Sequence, residues 1–430
     1  MKHVVVIGGG LAGQNLVSHL ARDKDVSITL VDRNNYCFFP PLLYQVATGF
    51  LETSNISYPF RKMFRKHPNI TIRMAELERV VPDQNKVVLS NGELTYDELV
   101  IAAGVSTNYF GMKNIQDNAL PMKTLGDALR LRNHVLGQVE LASVEPSDRE
   151  RAKYLTVVIA GTGPTGVELA GMLADMQRDI LYRDHPELKG SPARPHIILV
   201  DGNDRVLGAM SPKTSVYGNK SLSKMGIEVR FGLLVKDYSD GKVIFSNGEI
   251  IETKTLIWAA GIGGQRFAGL PAEVFGPGGR IKVDALNGVI GLNNIYAIGD
   301  ACLQTHEAGY PKGHPQMAQV AIQQGQHLAR NMRRKGDSPG KPFAYFNKGA
   351  MAIIGRNKAV VDVPNGLHLQ GMIAWLAWWG VHLVFLMRQR NRVTTFFNWA
   401  VAWFTRDPSL RMIVRPSAGQ PVIGPKKENT

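Results

Sequence analysis

Two glycine clusters in this chain have the spacing that a phosphate-binding turn requires. The first is GGGLAG, Gly8 to Gly13, and the second GTGPTG, Gly161 to Gly166. In such a turn the first glycine (Gly8, Gly161) permits a tight bend. The second (Gly10, Gly163) lets backbone amides approach a pyrophosphate, and the third (Gly13, Gly166) lets the next helix pack on its strand. That helix directs its positive end at the phosphate. An apolar run ending in an acid follows each cluster: SITLVD at Asp32 and HIILVD at Asp201. Either acid is placed to accept hydrogen bonds from ribose hydroxyls. The chemistry these residues serve is dinucleotide binding, and two adjacent dinucleotides imply electron transfer.

The elements that must hold these turns are repeated too. HVVVIG before Gly8 and LTVVIA before Gly161 are apolar runs of the kind that form buried parallel strands. KVVLSNGEL from Lys86 matches KVIFSNGEI from Lys242. LVIAAG, closing on Ala103 and Gly104, matches LIWAAG, closing on Gly261. The predicted fold class is therefore α/β, with two tandem Rossmann-like units. At 430 residues the chain has room for two or three domains. RDILYRDHPELKGSPARP, Arg178 to Pro195, lengthens the second unit, and its prolines and charges predict an exposed excursion between helix and strand.

Lys and Arg total 50 against 36 Asp and Glu, a formal charge of +14 that favours anionic partners. Cys37 and Cys302 form no CxxC pair, which argues against a disulfide scaffold or a zinc site and fits a reducing compartment. The first strand starts by His3, so no signal or transit peptide is expected.

The tail differs in kind. Five of the six tryptophans fall between Trp375 and Trp403, and Leu367 to Met387 carries no Asp, Glu, Lys or Arg. That run is long enough to span a bilayer, but Gly371, Gly380 and Gln370 weaken it and its tryptophans sit inside it. Arg388, Arg390 and Arg392 follow, then a second aromatic stretch. The pattern predicts amphipathic helices lying in an anionic membrane surface, with a buried dimer-forming helix pair as the alternative. The closing GQPVIGPKKENT reads as an unstructured terminus.

With FFPPLLYQVATG (Phe38 to Gly49), AQVAIQ (Ala318 to Gln323), NNIYAIGDA (Asn293 to Ala301) and FNKGAMAIIGR (Phe346 to Arg356), the chain resembles the type II NADH dehydrogenases along essentially its whole length. These are single-subunit NADH:quinone oxidoreductases that pump no protons. The resemblance implies a discontinuous FAD domain (residues 1–120 and 276–345), an inserted NADH domain (121–275) and a membrane-anchoring, quinone-site segment (346–430). It implies non-covalent FAD, NADH as substrate, a membrane quinone as acceptor, peripheral attachment at the cytoplasmic face of the inner membrane, and a homodimer. Within it Pro41 falls in a cofactor-binding block, Asp300 holds the flavin ribityl chain, and Gln319 and Gln323 belong to a quinone motif.

Gln319 and Gln323 are four apart, hence on one helix face, and amides can bond quinone carbonyls without adding charge. A glutamine-rich surface helix is the ordinary alternative. Asn15 of the first unit corresponds to Glu168 of the second. A carboxylate there would repel a pyrophosphate, which directs Glu168 toward the nicotinamide–flavin junction; a helix-dipole role is its alternative. The rival functions are a soluble sulfide:quinone or ferredoxin-type reductase and a basic nucleotide-binding flavoprotein scaffold. Nucleic acid is not an expected partner, because the aromatics gather in apolar stretches instead of interleaving with basic residues.

Overall fold

A computed structural model describes residues 1–334, 339–364, 366–407 and 410–414. The terminus read from sequence as unstructured, residues 419–430, lies outside the described residues. The chain forms two compact units.

The first unit comprises Met1–Phe39, Ser57–Ser106 and Ile262–Asn347. Its five-stranded sheet is parallel throughout, in the order Ile295–Ala297, Glu98–Ile101, Lys2–Ile7, Val26–Asp32, Ile70–Met74. The central strand pairs Val4 with Ile28 and Val6 with Leu30, and its valines are fully buried, as a strand covered on both faces requires. A helix follows the first glycine turn, Leu11–Leu20, and packs on a second helix, Ala318–Met332, which carries the glutamines. The approach is close enough that a Cβ on Gly325 would stand 2.3 Å from the Ala12 carbonyl oxygen.

The second unit comprises Pro40–Ile56, Thr107–Gly261 and Lys348–Thr430. Its parallel sheet runs Leu120–Pro121, Thr255–Trp258, Thr156–Ala160, His196–Val200, Ile227–Arg230. Both units add a three-stranded antiparallel sheet, Leu77–Val81 with its neighbours in one and Val235–Ser239 with its neighbours in the other. The repeat is therefore structural as well as sequential. The copies differ at one edge. Beside Glu98–Ile101 the outer strand comes from far downstream, Ile295–Ala297, whereas beside Thr255–Trp258 it comes from upstream, Leu120–Pro121.

One expectation is corrected. The excursion after the second glycine helix, Pro164–Met176, is not a simple exposed loop. A π-helical turn, Gln177–Leu181, leads into short turns at Tyr182–Asp184 and Pro186–Leu188. Ile180, Leu181, Leu188 and Ala193 are buried, and the last three join Ala142 and Leu155 in a small apolar cluster. Apolar residues at this spacing outweigh the prolines and charges between them.

The tail forms two helices, Gly371–Phe385 and Gln389–Thr405, beside an antiparallel sheet that starts at Ala350–Gly355. Among the described residues no helix is long and apolar enough to cross a membrane. Trp375, Trp378 and Trp399 point into the unit; the ring centroids of Trp378 and Trp399 lie 5.3 Å apart. Ile373, Leu376, Val384, Phe396, Phe397, Val401 and Phe404 point outward. The aliphatic and phenyl side chains thus form the exposed apolar face, and those tryptophans belong to the core. Arg392 donates to the carbonyls of Leu386 (3.0 Å) and Val384 (2.6 Å), closing the end of the first tail helix.

Candidate functional site

The first glycine turn closes as its sequence demands. Gly8 has φ +101°, and a Cβ there would meet the Ala102 carbonyl oxygen at 2.4 Å and Ala103 Cα at 2.8 Å. A Cβ on Gly13 would fall 1.9 Å from the Gly8 carbonyl oxygen. Around the position of a Cβ on Gly10, by contrast, no atom from beyond the adjoining backbone lies within 4 Å. Gly10 starts the helix in extended conformation with no side-chain cap, so the helix amides face open space.

The second turn repeats each relation. Gly161 has φ +110°, its Cβ would meet the Ala259 carbonyl oxygen at 2.4 Å, and a Cβ on Gly166 would stand 1.9 Å from the Gly161 carbonyl oxygen. Gly163 again borders open space, with Pro164 opening the helix. Gly261 lies under the Phe110 ring, 2.7 Å from where its Cβ would be.

Both acids have structural partners. Asp32 accepts the amide of Gly9 at 2.7 Å and that of Asn34 at 2.7 Å. Asp201 accepts the amide of Thr162 at 2.7 Å, its hydroxyl at 2.8 Å, and the amide of Asn203 at 2.9 Å. Each acid pins its glycine turn to the neighbouring strand. Burial pushes the Asp32 carboxyl up in pKa, against the pull of the Asn34 and Gly9 amides. Arg205 donates to the Gly208 carbonyl at 2.6 Å, within its own loop.

Asp300 lies in a short turn, Gly299–Ala301, held from two sides. Gln324 accepts the Gly299 amide at 2.7 Å, and Gln316 donates to the Asp300 carbonyl at 3.1 Å. Gln324 is fully buried and its amide nitrogen has no hydrogen-bond partner. An open glycine turn, an uncapped helix start and an unpartnered buried donor beside Gly299 fit a large dinucleotide cofactor in this unit. Sequence reasoning passed over Gln324 as one glutamine among several. Its signal is its helical spacing with Val320, Ala321 and Leu328, the buried face of that helix.

Gln319 and Gln323 share this helix. The Gln323 amide donates to the Phe346 carbonyl at 2.9 Å and accepts the Phe346 amide at 3.0 Å, a two-way clasp that fixes its orientation. Glu168 and Pro41 belong to the second unit. Pro41 lies in the turn Pro40–Leu42, which leads into the buried helix Leu43–Ala47. There Gln45 accepts the Trp399 indole N–H at 2.6 Å and donates to the Tyr44 hydroxyl at 3.2 Å.

Glu168 is buried, and its carboxyl accepts the amide of Ile353. Burial raises its pKa well above 4.5, and its charge in turn adds to the rise in Tyr44, which burial dominates. Asn15, its counterpart, donates to the Leu11 carbonyl at 2.8 Å and accepts from Gln326 at 3.1 Å. Equivalent positions thus take different partners, a neutral amide in one copy and a buried acid in the other. Because folding raises the Glu168 pKa, the folded chain holds a proton that the unfolded chain releases above about pH 4.5. This contribution costs nothing below the unfolded value and lowers stability as pH rises toward the folded one. Glu168→Gln should therefore gain on the wild type in urea midpoint between about pH 5 and about pH 8. A gap unchanged across that range would contradict the raised pKa.

Both cysteines are buried and unpaired with each other. The Cys302 thiol, beside Gln324 at 3.2 Å, has its pKa pushed by burial to about 11. That is the reverse of the lowered pKa a reactive thiolate needs. His382 stacks on Trp378 at 4.0 Å and donates from Nδ1 to its carbonyl at 2.8 Å, with burial lowering its pKa to about 4.

Comparison with known proteins accords with this architecture. Residues 2–325 match the model of the pyridine nucleotide-disulphide oxidoreductase family, and residues 347–407 match the NDH2 C-terminal domain. The chain is 35% identical to the type II NADH:quinone oxidoreductase NdhA of Mycobacterium tuberculosis, over 94% of this chain and 87% of that protein. It is 32% identical to Ndh of the same organism, over 94% and 88% of the two chains. A solved structure of NDH2 from Plasmodium falciparum in complex with NADH shares the fold, with TM-score 0.87 and 21% identity over 96% of this chain and 100% of that one. The chain belongs to the type II NADH:quinone oxidoreductases.

Proposed function

We propose that the protein oxidises NADH bound in the second unit and passes two electrons through non-covalent FAD in the first unit to a membrane quinone, without pumping protons. The observation that carries this reading is one turn geometry built twice, with Gly10 and Gly163 both bordering open space. FAD is assigned to the first unit because there the outer strand of the parallel sheet, Ile295–Ala297, comes from downstream and leads into the Asp300 turn. On that basis residues 1–120 and 276–345 form the flavin domain, 121–275 the NADH domain, and 346–430 the membrane and quinone segment. Bound FAD would supply the two-electron relay between nicotinamide and quinone. The chain's own task is to hold the donors and acceptors in line and exclude water.

Within this reading the amides at Gly10 and Gly163 hold the pyrophosphates, and Asp32 and Asp201 meet ribose hydroxyls with lone pairs beyond those that pin the turns. Gln319 and Gln323 bond the quinone carbonyls, and Glu168 acts near the nicotinamide. Asp201 would oppose a 2′-phosphate, and Arg205 is spent on Gly208. NADH should accordingly exceed NADPH in kcat/KM by at least about tenfold. Near-equal values would contradict the assignment of Asp201.

We further assign peripheral attachment to anionic lipid at the cytoplasmic face, as a homodimer, through the exposed tail face. Ile373, Phe397 and Phe404 are 69%, 61% and 77% exposed, and the two phenyl rings meet Phe396 and Trp403 of their own helix edge to face. Changing all three to Glu should lower binding to anionic vesicles at least about tenfold while leaving the urea midpoint close to wild type. Undiminished sedimentation with vesicles would refute the lipid contact.

Turnover of purified protein with NADH and a soluble quinone tests the activity. Sulfide or ferredoxin serving in place of these substrates would favour the rival reductases; against the sulfide-dependent one the buried Cys302 already argues.

A further inference from the structure

The second unit holds a cavity of about 390 Å³ that none of the chemistry above uses. The connecting helix Leu125–Val144, the end of the second glycine helix and the π-helical turn Gln177–Leu181 supply much of its lining. Its walls are mostly apolar, among them Val139, Leu155, Leu173, Ile180 and Ile413. The volume is that of sites for small organic molecules, which pair apolar walls with a few directed polar groups.

Gln138 supplies such a group. It lines the cavity, is only 4% exposed, and its carbonyl oxygen has no hydrogen-bond partner. A buried amide oxygen without a partner is stabilised by a ligand that supplies the missing donor. The charged groups that line it sit at its margin: Arg411 bonds Asp184 at 2.7 Å, and the Glu140 side chain is 62% exposed to solvent. The apolar walls behind that margin favour an uncharged ligand. The π-helical turn that forms one wall is a geometry found mostly as a single-turn bulge, frequently at functional sites.

We propose that this cavity binds an uncharged amphiphile, an alkyl or aromatic body bearing a hydroxyl or amide, and that its occupancy tunes nucleotide binding. Leu173 and Met176 of the second glycine helix line the cavity, and the same helix begins at the Gly163 turn. A ligand that shifts its last turn acts on the helix whose first turn faces the pyrophosphate. The kinetic half of the proposal rests on NADH occupying the second unit; the binding half does not.

The test titrates the flavin-loaded protein with 4-pentylphenol, following Tm and the KM for NADH. Expected are a saturable rise in Tm and a change of at least about twofold in that KM. Val139→Trp, which fills the cavity, should abolish both. Gln138→Leu, which keeps the shape, should weaken the probe at least about fivefold. A Tm response that never saturates, or that is equal in wild type and Gln138→Leu, overturns the site. So does inhibition competitive with quinone that survives both substitutions, since that marks the acceptor site. Saturable binding lost in the variants with KM unchanged overturns the coupling. Because Tm is read without turnover, failure of the NADH assignment leaves the binding result intact.

Discussion

Gly166→Ala is expected to cut kcat/KM for NADH by at least about a hundredfold while the flavin stays bound, whereas Gly13→Ala is expected to yield protein without flavin. Each added methyl would stand 1.9 Å from a turn carbonyl, that of Gly161 or Gly8. That atom is backbone and cannot step aside without moving the start of the helix, where the phosphate-facing amides lie. Gly10→Ala and Gly163→Ala serve as controls for folding, because no atom from beyond the adjoining backbone lies within 4 Å of either new methyl. Both should fold at wild-type stability, and each should weaken only its own dinucleotide, by intruding where the pyrophosphate sits. Flavin content by absorbance, together with kcat/KM for NADH, reads all four variants. Flavin lost from Gly166→Ala and kept in Gly13→Ala would reverse the assignment of the two units.

Trp399→Ala is expected to cost about 3–5 kcal/mol in stability, the range for removing a large aromatic from a core. Trp399 is 4% exposed, its ring centroid lies 5.3 Å from that of Trp378 and 5.1 Å from that of Trp379, and its N–H reaches Gln45 at 2.6 Å. Trp399→Phe keeps most of the apolar area but leaves the Gln45 oxygen short of a donor, a loss of about 1–3 kcal/mol. Phe404→Ala, in the same helix but outward-facing, should change stability by less than about 0.5 kcal/mol. Urea midpoints compared across the three decide the matter. If Trp399→Ala and Phe404→Ala were equal, the tail would be an appendage and not part of the second unit's core.

Both glycine turns were legible from sequence because their physics is local. A backbone with φ of +101° or +110° and a carbonyl too close to leave room for a methyl admit almost no other residue, so type and spacing carry the geometry. The terminal acids were legible in place, though not in their structural task of pinning Gly9 and Thr162. What escaped depends on distant partners. The direction of each tail tryptophan is decided by segments such as Leu43–Ala47, which lies more than 300 residues upstream of Trp399. The excursion after Met176 looked exposed because its prolines and charges are contiguous, while the apolar residues that bury it are scattered among them. Gln324 was hidden by neighbouring glutamines, and only the helix's placement against Gly299 singles it out.

The central claim, that one unit takes electrons from NADH and the other hands them to quinone, is tested most directly by anaerobic stopped-flow absorbance of the purified yellow protein. Mixed with NADH alone, the flavin colour should bleach in a single turnover, and a second mixing with soluble quinone should restore it. A bound flavin whose absorbance excess NADH leaves unchanged, or that stays bleached when quinone is added, would contradict the account.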